Sequence, residues 1–267
     1  MCRLFGYITR EPVTLRQIAP EMIAGLKDIS HIHADGWGFS WYDDQNQLQL
    51  LKAADAAYQN QKFSVGVESI CTDAFIGHLR WATQGFDLCV PNTHPFTYDQ
   101  YAFAHNGLIE PQQALEDLIS TDYRDVLQGS TDSERYFLAL LSAIDQEGTT
   151  TAGIYNLLEK FSHGFRMNGA NFLLLTPDTL YAVCTFNPYS NRAQAEPDYF
   201  PLRYHLTADA VIIGSTGLGQ GDDWHELANG QMLIVNRATL AVSMLDLGHR
   251  TRLSQQEQYP SLLQQAL

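Results

Sequence analysis

Apolar periodicity places this sequence in the α+β class, with helices and antiparallel hairpins in separate stretches of the chain. Three stretches carry that reading. Residues 2–8 alternate as a strand, with Cys2, Leu4, Gly6 and Ile8 on one face. Ser130-Thr131-Asp132-Ser133-Glu134 is a capping box, Thr131 at the N-cap and Glu134 at N3. It opens a helix to about Asp145 that buries Tyr136, Phe137, Leu140, Leu141 and Ile144. Beyond Phe161 the chain turns β-rich, with strands over 171–176, 180–185, 210–215, 231–236 and 239–245. Pro177-Asp178 and Arg237-Ala238 read as hairpin connections.

The remaining elements follow in order. Pro12 ends the first strand. Thr14 to Lys27 has helical spacing at Leu15, Ile18, Met22 or Ile23, and Leu26. Gly36 and Gly38 flank Trp37 at the start of a strand running to Tyr42. Asp43-Asp44-Gln45-Asn46 is turn chemistry, and residues 48–53 return as its hairpin partner. A helix is expected over 63–70. A strand from Ala74 ends in a polar turn closed by Gly85, with Arg80 near its end. Thr93 to Phe96 reads as a loop. Tyr101 to Ala104 is a short strand leading into His105-Asn106-Gly107, and Thr151 to Phe161 is a further helix. Gly217-Leu218-Gly219-Gln220-Gly221 lacks the GxGxxG spacing, and Asp222-Asp223 beside it repels phosphate, so it reads as a flexible loop. The glutamine-rich tail from about residue 250 is expected to pack peripherally or fray. No repeat or linker interrupts the chain, so residues 1–267 are expected to form one domain.

Bulk properties narrow the function. A length of 267 residues allows a large core, and 45 % hydrophobic with 17 % charged residues is an ordinary globular balance. A formal net charge of −14 repels phosphate backbones and anionic lipid, so neither nucleic acid nor membrane is an expected partner. No apolar run approaches the ~20 residues of a spanning helix, and the N-terminus lacks the pattern of a signal peptide. Cys2, Cys71, Cys89 and Cys184 are scattered, with no CxxC pair for zinc and no disulfide framework. The expectation is a reduced, cytoplasmic protein without cofactor or metal.

Candidate chemistry centres on Cys2. Removal of Met1 would leave Cys2 with a thiol and a free α-amine. The amine has an ordinary pKa of about 7.7–8.0 and the thiol about 8.5. The amine can therefore take the thiol proton near neutral pH, the N-terminal-nucleophile form of an activated nucleophile. A buried cysteine that merely stands second is the alternative. His31, His33 and Asp35 do not follow a known ligand spacing, and their stretch reads as a pocket wall. Arg80 offers a fork matched to a carboxylate, or is a solvated surface residue. Asn106-Gly107 is the strongest short turn signal in the chain. Its other reading is an oxyanion hole, with the Asn106 amide and the Gly107 N–H aimed at one developing charge. Asp132, at the positive end of a helix, is expected to stay ionised, either to favour the helix start or to meet an ammonium group.

Five stretches in one order carry a resemblance: Met1-Cys2-Arg3-Leu4-Phe5-Gly6, Gly77-His78-Leu79-Arg80-Trp81-Ala82-Thr83, Thr93-His94-Pro95-Phe96, His105-Asn106-Gly107 and Thr131-Asp132-Ser133-Glu134. Together they resemble the class II glutamine amidotransferases. His33-Ala34-Asp35-Gly36-Trp37-Gly38 and Trp224 to Gly230 are similar to small stand-alone members, the YafJ-type proteins and the γ-glutamyl amide hydrolase of ergothioneine biosynthesis. The resemblance covers most of residues 2–245. It implies the N-terminal-nucleophile (Ntn) hydrolase fold, an αββα sandwich of two antiparallel sheets between helices. It implies that Cys2 attacks the side-chain amide of glutamine, that Asn106 and Gly107 hold the oxyanion, and that the thioester is hydrolysed to glutamate. Arg80 would then clamp the substrate α-carboxylate and Asp132 its α-ammonium, with Trp81 and Thr83 lining the pocket. Gln84 departs from the histidine that many synthase-linked members carry there. No synthase or sugar-isomerase stretch follows. Ammonia would go to a separate synthetase partner, or the enzyme would be a γ-glutamyl amide hydrolase. A catalytically idle glutamine-binding module is the remaining alternative, which the presence of Cys2, Arg80, Asn106 and Asp132 together argues against.

Overall fold

The structure is a computed structural model that describes residues 2–83, 85–218 and 221–248. Strand β1 (Arg3–Thr14) is followed by helices α1 (Leu15–Ile18) and α2 (Pro20–Ser30), the hairpin β2 (Trp37–Tyr42) and β3 (Leu48–Ala53), helix α3 (Gln61–Ser69) and β4 (Cys71–Leu79). Strands β5 (Phe96–Tyr98) and β6 (Tyr101–Glu110) precede α4 (Gln112–Asp117), α5 (Thr121–Arg124), α6 (Asp132–Glu147) and α7 (Thr150–Phe161). Then come β7 (Arg166–Leu175), β8 (Thr179–Cys184), α8 (Asn191–Ala195), β9 (Leu202–Leu206), β10 (Ala210–Ser215), β11 (Trp224–Leu227), β12 (Gln231–Asn236) and β13 (Val242–Asp246).

The strands form two antiparallel sheets, ordered β11-β9-β10-β1-β4-β2-β3 and β13-β12-β8-β7-β6-β5. Strand alternation sorts the side chains into three cores. From β1, Leu4 and Ile8 point between the sheets and meet Ala104, Leu173, Leu175 and Leu233 of the second sheet. Phe5 and Tyr7 point the other way, onto Met22, Leu26, Phe63 and Val67 of α2 and α3. On the outer face of the second sheet, Phe103, Phe172 and Leu174 pack against Phe137, Leu141, Ile154 and Leu158 of α6 and α7. The layers are therefore α, β, β, α, the sandwich that the resemblance implies, and the face assigned to Cys2, Leu4, Gly6 and Ile8 is the one between the sheets. A Cβ on Gly6 would lie 3.3 Å from Leu173 Cδ1, so the sheets are in contact there. Among the described residues no helix is long and apolar enough to cross a membrane.

Several local expectations are corrected. Pro12 does not end β1. The pairing of β1 with β4 shifts between Ile8 and Val13, so Pro12 sits where no ladder hydrogen bond is required of it. The helix expected over 14–27 is two helices. Thr14 and Gln17 form a reciprocal capping box for α1, and Pro20 starts α2, forcing Ala19 out of helical geometry at φ −143°. The strand expected from Ala74 begins at Cys71 and stops at Leu79, just before Arg80. Thr131 does cap α6 by accepting from the Glu134 N–H. Glu134 does not reciprocate; its carboxylate accepts from Gln128 N and Gly129 N, fastening the preceding loop instead. The connection between β12 and β13 runs from Arg237 to Ala241, with Leu240 at φ +57°, and β13 starts at Val242 rather than Thr239. Strands β5, β9 and β11 and helices α4, α5 and α8 escape the sequence reading because each is short and half-exposed. Of the expected loop 217–221, Gly219 and Gln220 lie outside the described residues, as do Met1, Gln84 and the tail from residue 249.

Phe5 and Gly77 face each other across β1 and β4, and the Phe5 ring covers the glycine. A Cβ at position 77 would lie 2.3 Å from two ring carbons, so the glycine is what lets the ring lie flat on the sheet. Gly77→Ala is expected to cost about 1–3 kcal/mol by overpacking. In a Phe5→Leu background the same substitution should cost at least ~0.5 kcal/mol less. Denaturant unfolding of the four proteins in this cycle measures the coupling, and strict additivity would show that the ring and glycine do not depend on each other.

Candidate active site

Cys2 precedes β1, a central strand of the first sheet. The register pairs Arg3 with Leu79 of β4 and Leu4 with His78, so Cys2 and Arg80 leave the same end of neighbouring strands. The Leu4 N–H donates to Ser215 Oγ at 3.0 Å, tying this end to β10 as well. Cys2 is half-buried, and its Sγ lies 3.9 Å from the Trp81 carbonyl oxygen. Burial pushes the thiol above its ordinary value. The Arg80 guanidinium works against that shift and the Asp132 carboxylate adds to it, so all three share one electrostatic environment.

Asn106 and Gly107 are not a turn. They lie inside β6, where Asn106 pairs with Asn171 and Gly107 with Ala170 of β7. A ladder on a buried strand overrides the local preference of Asn-Gly. The glycine is required for another reason: a Cβ there would come 1.8 Å from the Gly169 carbonyl oxygen. The Asn106 side chain is fully buried, and among the described residues neither its Nδ2 nor its Oδ1 has a hydrogen-bond partner. Its neighbour Asn171 is the contrast. That side chain donates to the Phe200 carbonyl at 2.5 Å and accepts from the Thr185 N–H at 2.7 Å. An unsatisfied buried amide costs about 1–3 kcal/mol, so Asn106 is held at the expense of stability.

A group of histidines lies beneath this amide. His78 donates from Nε2 to the His105 carbonyl at 3.3 Å, linking β4 to β6 across the two sheets. His105 Nε2 faces the Gly169 carbonyl at 3.4 Å, so its Nδ1 accepts from the Ser133 hydroxyl at 2.9 Å. His94 stacks on His78 with ring centroids 4.1 Å apart. Burial lowers all three, His105 to about 4, so they are neutral struts and not proton carriers near pH 7.

Arg80 is buried, not solvated. Its Nη1 and Nη2 donate to the Asp87 carbonyl at 3.2 Å each, and among the described residues no carboxylate pairs with it. The stretch read as a pocket wall fastens it. Asp35 Oδ2 accepts from the Ala82 N–H at 2.8 Å, and Arg80 and Gly36 share a backbone bond of 2.8 Å. His33 presents an edge-to-face contact to Trp81 at 5.5 Å, while His31 stacks on Tyr58, so the His31–His33–Asp35 group is engaged in packing the turn. Asp132 opens α6 as expected, and its Oδ2 accepts from the Ile109 N–H at 2.9 Å. Its pKa is nevertheless raised. Burial raises it to about 6, outweighing the Ile109 and Ser133 N–H groups that pull it down. Near pH 7 it is still mainly charged, by a narrow margin.

Trp81, Ala82, Thr83, Leu108, Asn168 and Arg192 line an open cleft of about 260 Å³. Trp81 bonds Cys2 through its carbonyl and Leu108 follows Gly107, so the cleft adjoins both. The structure thus gathers Cys2, Arg80, Trp81, Thr83, Asn106, Gly107 and Asp132 at one end of the sandwich. Sequence reasoning missed Asp35 as an anchor, the histidine struts and Arg192. A buried histidine has no periodic signature, and Arg192 is 190 positions away from Cys2 on a five-residue helix.

With this geometry in place, the comparisons with known proteins are direct. The family model for class II glutamine amidotransferases matches residues 1–259. The Saccharomyces cerevisiae protein named "probable glutamine amidotransferase DUG3" is 30% identical over 168 residues, covering 55% of this chain and 47% of its own length. YafJ of Escherichia coli, also named as a glutamine amidotransferase, is 28% identical over 166 residues, covering 58% of this chain and 62% of its own. The matched stretch is therefore less than two thirds of either relative. The solved structure of a glutamine aminotransferase class-II domain protein from Silicibacter pomeroyi superposes with a TM-score of 0.64 at 20% identity, covering 92% of this chain and 99% of that one. That likeness speaks to the fold, and the family model, matched over nearly the whole sequence, speaks to descent: the chain belongs to the class II glutamine amidotransferases.

Proposed function

We propose that the protein hydrolyses the side-chain amide of L-glutamine, or of a γ-glutamyl amide, through a thioester on Cys2. The observation that carries this reading is the fully buried, unpartnered Asn106 amide beside Gly107 and close to the Cys2 end of β1. A donor kept desolvated and unpaired is preorganised for charge that exists only during reaction. Removal of Met1 frees the Cys2 α-amine, which takes the thiol proton. The thiolate adds to the amide carbon, and the carbonyl electrons move onto an oxygen held by Asn106 Nδ2 and the Gly107 N–H. The carbon–nitrogen bond then breaks and the amine departs with the proton, as ammonia from glutamine. Water attacks the thioester, releasing glutamate and restoring the thiol.

Arg80 binds the substrate α-carboxylate in this proposal, since its buried charge has only carbonyl partners. Asp132 binds the α-ammonium, and Trp81 and Thr83 line the passage. Ammonia would pass to a separate synthetase or to solvent. The free amino-acid head is thus read by two opposite charges, neither of which touches the bond that breaks.

Three outcomes test this. Asn106→Ala should slow turnover by about 10²–10³. Because the wild-type amide has no partner to lose, the variant should melt no lower than wild type; a large loss of stability with little loss of rate would make Asn106 structural. For Asp132, kcat/KM should fall about tenfold per unit below pH 6 as the carboxylate protonates, and Asp132→Asn should abolish that inflection. The folded pKa lies above the unfolded value, so this group favours folding only in acid and disfavours it as pH rises through about 6. Asp132→Asn should therefore gain stability above pH 6, on the order of 3 kcal/mol, with the gain vanishing near pH 4. Thermal melts across that range decide it. Finally, intact-mass measurement of active protein should find Met1 absent, and full activity with Met1 retained would remove the amine as base.

A further inference from the structure

Beyond the amino-acid head, the cleft carries a second charged arrangement. Arg192 lies over the Trp81 ring at 5.0 Å and over the Tyr199 ring at 4.4 Å. Arg3, the residue after the nucleophile, lies over the same Tyr199 ring at 4.6 Å. Two guanidinium groups thus lie against one buried tyrosine ring. Their partners do not balance them. Arg192 Nη1 pairs with Glu196 at 3.0 Å. The Arg192 side chain also meets the Tyr199 hydroxyl, while Arg3 Nε and Nη1 are buried without a hydrogen-bond partner among the described residues. Like charges on one ring repel, and buried N–H donors without acceptors cost stability. An anion placed between them would meet both deficits.

The position of this cluster says what the anion belongs to. Arg80 and Asp132 are buried and share the electrostatic environment of Cys2, and the Trp81 carbonyl touches Cys2 Sγ. A substrate with its amino-acid head on Arg80 and Asp132 must send its other half outward along Trp81, where the guanidinium of Arg192 lines the cleft. Ammonia, like one water molecule, needs only about 10–15 Å³ of cavity space. The cleft offers about 260 Å³, room for a leaving group of several heavy atoms. The chain as a whole carries a charge of −14, so a cationic pair here runs against the general charge of the molecule.

We propose that Arg192 and Arg3, held on the Trp81 and Tyr199 rings, form a subsite for a carboxylate on the amine half of the substrate. The physiological amide is then a γ-glutamyl amino acid or peptide, and glutamine is the truncated substrate. This rests on the hydrolytic function proposed above and adds the leaving group to it.

The test compares three substrates on the full chain with Met1 removed: L-glutamine, γ-glutamylglycine, and γ-glutamylglycinamide, which matches the second in shape and lacks the carboxylate. The wild type should prefer γ-glutamylglycine over γ-glutamylglycinamide by about tenfold or more in kcat/KM, the worth of a charge-assisted hydrogen bond. Arg192→Gln and Arg3→Gln should each move that ratio toward one, and Arg192→Lys should keep part of it. A ratio taken within one preparation is insensitive to the fraction folded, and the wild-type ratio stands even if a variant does not fold. Hydrolysis of glutamine with no preference between the two glycine amides, or with neither cleaved, would overturn the subsite and leave the function intact. Equal losses on both amides in the variants would do the same. Absence of turnover on all three substrates would overturn the function and the subsite with it.

Discussion

The contact between the two sheets at β4 and β6 is the constraint on which the site depends. A hydrogen bond from His78 to the His105 carbonyl crosses the gap there, immediately before Asn106 in the chain. On one side it fixes β4, and through β4 the register of β1 and the position of Cys2. On the other it fixes the strand that carries Asn106 and Gly107. Gly6 lets the sheets approach, since a side chain there would meet Leu173, and Gly107 lets β6 and β7 approach within their sheet, since a side chain there would meet the Gly169 carbonyl. Cys2 and Asn106, the proposed nucleophile and oxyanion donor, come from different sheets, so only the sandwich as a unit can set their separation. Rigid elements hold such geometry better than loops do.

At the opposite end of β4 the sheets are pinned differently. Arg237, in the β12–β13 connection, makes a bidentate pair with Asp73 at 2.7 and 2.9 Å and stacks on Tyr42. That pair is geometrically complete. At the site end, by contrast, Arg80, Asp132 and Asn106 are all buried and all incompletely matched within the protein. The contrast is between one complete pair and a cluster of incompletely matched groups. Buried polar groups left without partners destabilise a fold, and they concentrate where a ligand is meant to supply the partner.

The same logic explains why the histidines do not act as bases. Desolvation holds His78, His94 and His105 neutral, and their hydrogen bonds fix one tautomer of His78 and His105. A neutral ring in a dry place is a strut with one donor and one acceptor. In the proposed mechanism, proton transfer at Cys2 therefore falls to the α-amine of the same residue, whose ordinary pKa lies near neutrality.

By itself the sequence determined which segments become strands and helices wherever periodicity is long and one face is buried, as in β1, α6 and α7. It marked Cys2 as the candidate nucleophile, and Thr131 as the cap that sets Asp132 on the first turn of α6. These are local properties, fixed by spacing and side-chain chemistry. It left Asn106-Gly107 open between a turn and an oxyanion hole; the turn reading fails, because turn propensity is local and ladder pairing with Asn171 and Ala170 is not. It placed Asp132 at the positive end of a helix, where it is expected to stay ionised, but not that burial would raise its pKa to about 6, because that burial has no trace in the sequence. It gave Arg192 no role and Arg3 none beyond its place in the N-terminal motif. Only the tertiary structure placed them on one tyrosine beside the cleft, since nothing in linear spacing relates residues 3, 81, 192 and 199.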